Sequence, residues 1–357
     1  MVYSISVQTL ISYSAYLWHQ PIFAFIKEKL GEQSLLVMGA MTLGTFFLAY
    51  FSWKYIETPF RDKKRFNRKS IFLFSAVGMI FFISLGLVGS LNNGFKSYTP
   101  KQLEILNYSS YPYEDIYRKG ICFLKIEQTF EAFQETCQSK NNDIALMIWG
   151  DSHAAALSYG LRQLLPNVIQ YTTGQCPPIK DVTINSRPNC KDINDFVLSE
   201  IKRIKPAQIF IHANWSLYKE QDPINNLQNT IKFIKDISPK TEISIIGSVP
   251  QWKPSLPNYM IRFNKDLDGE YYLINSETHE LEKINDGLSM VANEEGIRFQ
   301  SVLDLVCKSD SCITTIKNGQ KYDLIAWDYG HLTGPGSIFL ASKILSSIGL
   351  KYETKNQ

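Results

Sequence analysis

Three long stretches without a charged side chain, residues 1–26, 33–53 and 70–95, constrain this chain more than any other feature in it. Each exceeds the roughly 18 to 20 residues that an α-helix needs to cross the hydrocarbon core of a bilayer. A cleavable signal peptide is the alternative for the first. That stretch, however, has neither a basic leading segment nor a small-residue cleavage site, and two further apolar stretches follow it. Three transmembrane helices are therefore expected. The mean hydropathy of −0.13 averages this apolar beginning with an ordinary polar remainder and so conceals it.

The loops orient the spans. Residues 61–69 carry Arg61, Lys63, Lys64, Arg65, Arg68 and Lys69, whereas the loop between the first two spans carries Lys27 and Lys29 beside Glu28 and Glu32. An excess of Lys and Arg marks the cytoplasmic side. The N-terminus is then inside, and everything after the third span lies outside the cytoplasm. With a net charge of +3 and no basic stripe interleaved with aromatics, nothing points to a nucleic-acid partner.

The cysteines agree independently. Cys122, Cys137, Cys176, Cys190, Cys307 and Cys312 all fall in the region assigned to the outside. An even set confined to one side suggests disulfides in an oxidising compartment, although sequence does not fix the connectivity. Pairing between neighbours, 122 with 137, 176 with 190 and 307 with 312, is the expectation. A zinc site is disfavoured, because there is no Cys-x-x-Cys pair and no His at ligand spacing.

The organisation expected is a membrane part over 1–92, a Tyr-rich linker or extension over 93–142, and a catalytic domain over 143–352. Residues 144–149, 168–172, 208–211 and 242–246 read as buried strands rich in β-branched side chains, with helical patterns at about 153–164, 194–204, 223–237 and 279–295 between them. Such alternation argues for an α/β domain, a parallel sheet with helices on both faces. Ligands in such sheets sit outside the carboxyl ends of the strands, which directs attention to the loops there.

Two of those loops carry chemistry. The first reads Gly150-Asp151-Ser152-His153 and delivers a serine from a buried strand to the mouth of a helix. Free backbone N–H groups there favour an anion, as the oxyanion of a serine nucleophile requires. The competing role for Ser152 is a simple N-cap. The second loop, Asp328-Tyr329-Gly330-His331, precedes a helix start at Thr333 and Pro335. A carboxylate and an imidazole three residues apart can reach one site, the first orienting the second. The competing role for His331 is a surface histidine beside a turn aspartate. Among the other histidines, His153 follows the serine directly and should point elsewhere, His212 ends a strand, His279 starts a polar helix and His19 lies in the first span.

These residues carry a family resemblance. Gly150-Asp151-Ser152-His153 near the start of a Rossmann-like domain, with Asp328-x-x-His331 near its end, resembles the SGNH (GDSL-type) hydrolase superfamily. Tyr13-Ser14-Ala15-Tyr16-Leu17-Trp18-His19-Gln20-Pro21 and Tyr55-Ile56-Glu57-Thr58-Pro59-Phe60-Arg61 resemble the closing helices of the integral-membrane acyltransferase-three family. Members with a fused periplasmic SGNH domain are similar from end to end, including Cys176-Pro177-Pro178. The resemblance implies an O-acetyltransferase of the bacterial inner membrane that modifies lipopolysaccharide O-antigen or a similar surface glycan through Ser152, His331 and Asp328. It further implies an oxyanion hole in which Gly174 and Asn214 join the Ser152 N–H, although neither sits in the usual Gly-x-Asn-Asp context. The expected partners are a polysaccharide or lipid-linked glycan acceptor and the membrane. No cofactor or metal is expected. The acyl donor is expected to derive from acetyl-CoA, delivered through membrane helices. The family's membrane domain has about ten helices and this chain opens at what resembles the last of them. It is therefore expected to be a fragment or to work with a complementary membrane polypeptide, with structural roles for His19 and Glu57. A periplasmic carbohydrate esterase and an inactive sugar-binding scaffold are the alternatives.

Overall fold

Apolar side chains surround the helix Arg68–Leu91 on every side, and none of them is buried by protein. A helix of that kind is stable only where something other than water covers it. The computed structural model describes residues 3–30, 35–61, 66–92, 98–138 and 145–352, and the chain divides into two units, Met1–Ser97 and Tyr98–Gln357.

The first unit contains α1 (Tyr3–Leu30), α2 (Leu35–Ser52) and α3 (Arg68–Leu91). α2 continues through a π-helical turn, Trp53–Glu57, into Thr58–Arg61. Ser14, Met41, Thr45 and Ala49 are buried, and Ser14 Oγ donates to Glu57 Oε2 at 3.1 Å. Two helical segments among the described residues, Leu35–Phe60 and Arg68–Leu91, are long and apolar enough to cross a membrane. The third expected span, α1, has the length, but its serines, tyrosines, glutamines and His19 dilute its apolar character below that of the other two. Glu32, positions 62–65 of the basic loop, the end of the third apolar stretch at 93–95 and the strand residue Ile144 lie outside the described residues.

The second unit is built on a six-stranded, wholly parallel sheet. Its strands are β1 (Phe123–Leu124), β2 (Leu146–Gly150), β3 (Val168–Thr173), β4 (Gln208–His212), β5 (Glu242–Ile246) and β6 (Arg298–Gln300), in the order β1-β3-β2-β4-β5-β6. Both faces are covered, which is why the strands read as unbroken apolar runs. Leu146 and Ile148 face one core with α4 (Ser152–Leu164) and α8 (Gly334–Ser347). Met147 and Trp149 face the other with α5 (Cys190–Ile204), α6 (Pro223–Ile237) and α7 (Thr278–Glu294). α4 and α8 approach closely at Gly160, where a Cβ would lie 2.1 Å from the Ser337 carbonyl oxygen, and the Gly160 N–H donates to Ser337 Oγ at 2.7 Å. The four expected strands and four expected helices all form, with ends displaced by a few residues.

The chain leaves β2 for β3 on one side and then crosses to β4 on the other, so β2 borders the point where the winding reverses. In open parallel sheets the crevice beyond that point holds the ligand. The extension expected over 93–142 contributes short helices, Pro100–Leu106 and Tyr113–Tyr117, and the edge strand β1 to this unit. Disulfides join Cys122 to Cys137, Cys176 to Cys190 and Cys307 to Cys312, the neighbour pairing expected.

Candidate active site

β2 ends at Gly150, where a Cβ would stand 1.7 Å from the His212 carbonyl oxygen, so only glycine lets the two strand ends close. The next residue, Asp151, caps α4. Its carboxylate accepts the His153 N–H at 2.9 Å, the Asn214 N–H at 2.9 Å and the Tyr218 hydroxyl at 2.9 Å. Burial raises the Asp151 pKa and these three donors oppose the rise. The capping role that competed for Ser152 therefore belongs to Asp151. Ser152 is the first residue of the helix, and its hydroxyl is left to other partners.

That partner comes from the loop before α8. An antiparallel bridge between Ala326 and Leu332 and a hydrogen bond from Trp327 N to His331 O at 2.9 Å pinch the loop shut. Asp328 Oδ1 accepts the backbone N–H groups of Gly330 and His331 at 3.0 and 2.8 Å, and Oδ2 lies 2.7 Å from His331 Nδ1. An ionised carboxylate accepts only, so Nδ1 carries the proton and Nε2 presents its lone pair. His331 Nε2 is 2.8 Å from Ser152 Oγ. Serine hydroxyl, imidazole and carboxylate thus stand in hydrogen-bond sequence, an arrangement able to prepare a serine for acyl transfer.

Of the two oxyanion candidates, one sits beside this sequence of groups and one is committed elsewhere. Asn214 follows β4, and its amide orientation is set by its neighbours. Ser216 Oγ and Gln251 Nε2 donate to Oδ1 at 2.7 and 2.8 Å, while Nδ2 donates to the Tyr329 hydroxyl at 3.1 Å. The second Nδ2 hydrogen is left for another acceptor. Gly174 follows β3, but its N–H donates to Leu124 O at 3.1 Å, extending the β1–β3 pairing. Its amide is therefore taken by the sheet and is not free for an oxyanion, which corrects the role expected for it.

Three further residues at the site carried too little signal in sequence. His153, expected to point elsewhere, is buried with its ring centroid 4.9 Å from that of His331 and its Nε2 3.3 Å from the Tyr329 hydroxyl. Burial, reinforced by His331 and His212, holds its pKa well below the usual imidazole range, so it is neutral. Burial raises the Tyr329 phenol, which is also neutral. Gln251 lies on the loop after β5 and reaches Asn214 only through the tertiary fold. Among the described residues no group of three or more His, Cys, Asp or Glu side chains could hold a metal ion.

A family model described as "SGNH domain (fused to AT3 domains)" matches residues 122–346. The solved periplasmic domain of a lipopolysaccharide acetyltransferase from Salmonella ser. Paratyphi A is 29% identical, with a TM-score of 0.56 over 68% of this chain and 96% of that one. A carbohydrate acetylesterase from Sinorhizobium meliloti aligns at 9% identity and a TM-score of 0.34, over 57% of this chain and 98% of that one. An aryl esterase of M. smegmatis aligns at 8% identity and a TM-score of 0.35, over the same shares of the two chains. A comparison with curated proteins finds no match.

Proposed function

The chain belongs to the family of SGNH domains that occur fused to AT3 domains, enzymes of the acyltransferase or esterase type, and from that premise we propose that it O-acetylates a bacterial surface polysaccharide. The observation that carries this reading is the run of hydrogen bonds from Ser152 Oγ through His331 to Asp328. His331 takes the Ser152 proton as Oγ attacks the acetyl carbonyl, and Asp328 stabilises the imidazolium. The tetrahedral oxyanion is held by the Ser152 N–H at the start of α4 together with the Asn214 amide. The intermediate collapses, the donor leaves with the proton from His331, and Ser152 carries the acetyl ester. A sugar hydroxyl then gives its proton to His331 and attacks the ester, restoring the serine.

The lipopolysaccharide acetyltransferase domain supports a lipopolysaccharide or related lipid-linked glycan as the acceptor. The disulfides support an extracytoplasmic, periplasmic setting for the second unit, and the apolar helices α2 and α3 support a multi-pass inner-membrane anchor. On this proposal α1 is a third span. The acetyl group derives from acetyl-CoA and arrives through a membrane acyltransferase part. The test is the acetyl content of surface polysaccharide in a strain without its own transferase, expressing this chain with such a membrane part. Acetylation that disappears with Ser152→Ala is the expected result. Acetylation that survives the substitution would mean the acyl group bypasses this serine.

A further inference from the structure

We propose that Tyr113 and Tyr117, which precede the 122–346 segment that defines the family, act as positioning residues for the catalytic histidine through Trp327. The inference rests on the reading of His331 as the general base. Trp327 adjoins Asp328 in the catalytic loop. Its indole stacks on the His331 imidazole, with centroids 5.7 Å apart and planes 17° from parallel, and on the Tyr113 ring at 5.0 Å and 9°. Both separations fall in the range of attractive aromatic stacking. The indole Nε1–H donates to the Tyr117 hydroxyl at 3.0 Å, and that hydroxyl donates to Leu332 O at 2.6 Å. Tyr117 is itself buried, with its ring centroid 6.4 Å from that of His331.

Two more tyrosines of the same segment hold the flanks of the loop. The Tyr108 hydroxyl donates to Asp323, and the Tyr111 hydroxyl accepts the Gly334 N–H at 2.7 Å, one of the N-terminal donors that α8 cannot satisfy itself. Beside its ties to Arg162 and Gln170, the segment 108–117 thus reaches Asp323, Trp327, Leu332 and Gly334 through its four tyrosines, on either side of Asp328 and His331. The loop itself has little regular structure, the Ala326–Leu332 bridge and the Asp328 turn, and on its other side the Trp252 and Leu256 N–H groups donate to Tyr329 O and Asp328 O at 2.7 and 3.0 Å. Its hydrogen bonds fix the two imidazole nitrogens. The stacked indole sets the tilt of the ring about the line between them, and Tyr113 and Tyr117 set the indole. A displacement of about 1 Å at a reacting group can cost ~10²-fold in rate, so the packing of this strap reaches the chemistry without touching substrate.

The experiment uses the full chain in detergent and the hydrolysis of an aryl acetate. Tyr113→Ala should lower kcat about tenfold or more with KM within about twofold, whereas Tyr113→Phe, which keeps the stack, should restore wild-type turnover. In combination with Trp327→Ala, Tyr113→Ala should add nothing, because both act through one indole. Tyr117→Phe, which preserves volume, should lower kcat several-fold and should likewise add nothing to Trp327→Phe; this pair decides the matter if Tyr113→Ala fails to fold. Unchanged kcat in Tyr113→Ala and Tyr117→Phe, or losses that multiply with those at Trp327, would overturn the proposal. If His331→Ala itself keeps full turnover, the reading of the base fails first, and that outcome is distinct.

Discussion

His331 Nε2 stands 2.8 Å from Ser152 Oγ across 179 residues of chain, one at the entrance to α8 and the other at the entrance to α4. These two helices also pack against each other at Gly160 and Ser337, so the contact between serine and imidazole is backed by one that leaves no room for a side chain. His331 and Ser152, the base and nucleophile of the proposed mechanism, are therefore held by the same helix pair.

In the proposed mechanism the three groups act as a unit, so Ser152→Ala and His331→Ala are each expected to lower turnover of an activated acetyl ester by roughly a thousandfold or more, and the double variant should fall little further. Asp328→Asn should cost ~10²-fold or more, since an amide no longer fixes the proton on Nδ1. Single-variant losses that are modest and multiply in the double variant would show that the residues do not cooperate.

Gln251 and Ser216 donate to the Asn214 oxygen, which sets its NH2 group toward Tyr329 and, in the proposed mechanism, toward the oxyanion. Removing an oxyanion donor typically costs ~10²- to 10³-fold in kcat, which is the expectation for Asn214→Ala. Gln251→Leu should produce a smaller loss, about tenfold, by freeing the amide to turn over. The measurement is kcat for both variants. An unchanged value in Asn214→Ala assigns the oxyanion to other donors.

The parts of this fold legible in sequence are those where one local pattern fixes the outcome. β5 falls on the span expected for it because Ile243, Ser244, Ile245 and Ile246 are all buried, which makes an unbroken run. β6 was not visible, because three residues that begin with an exposed arginine at the sheet edge are too few to establish a pattern. The serine and histidine were legible because each sits between a strand or turn signal and a helix start. The commitment of the Gly174 N–H was not, since it depends on β1, a two-residue strand whose pairing only the tertiary fold reveals. The inward turn of His153 was missed for a related reason. Its direction follows from Asp151, rather than Ser152, being the cap, a difference of one residue that rotates the start of the helix.

The disulfides close loops of 15, 14 and 5 residues. By restricting the unfolded chain, a loop of about 15 residues contributes ~3 kcal/mol and one of about 5 contributes ~2 kcal/mol. Replacing Cys122 and Cys137 together by serine should therefore cost more stability than replacing Cys307 and Cys312 together. Denaturant midpoints of the two double variants supply the comparison, and non-reducing peptide maps of the parent give the pairing. A larger loss for the shorter loop would mean that packing around the sulfurs, not chain restriction, dominates.

Acid should destabilise the second unit through its buried histidines. His212 ends β4 with no side-chain exposure, its Nδ1–H donates to Ile246 O at 3.1 Å, and its Nε2 has no hydrogen-bond partner. A proton on Nε2 would place a charge and an unmatched donor in an apolar setting, so burial lowers the pKa to about 4. In the unfolded chain the same imidazole titrates near 6.5. Below about pH 6.5 the unfolded state therefore binds a proton that the folded state refuses, and stability falls as pH falls. The contribution is fully present above about 6.5 and declines by about 3 kcal/mol on reaching pH 4. His153, depressed by burial in the same way, adds to the loss in the same direction. His212→Gln removes one of the two titrations, whatever constant cost the new side chain brings. Denaturant unfolding of parent and variant between pH 7.5 and 4.5 should give a visibly shallower decline for the variant. Parallel curves would place the acid sensitivity elsewhere, in the carboxylates rather than in the imidazole at the end of β4.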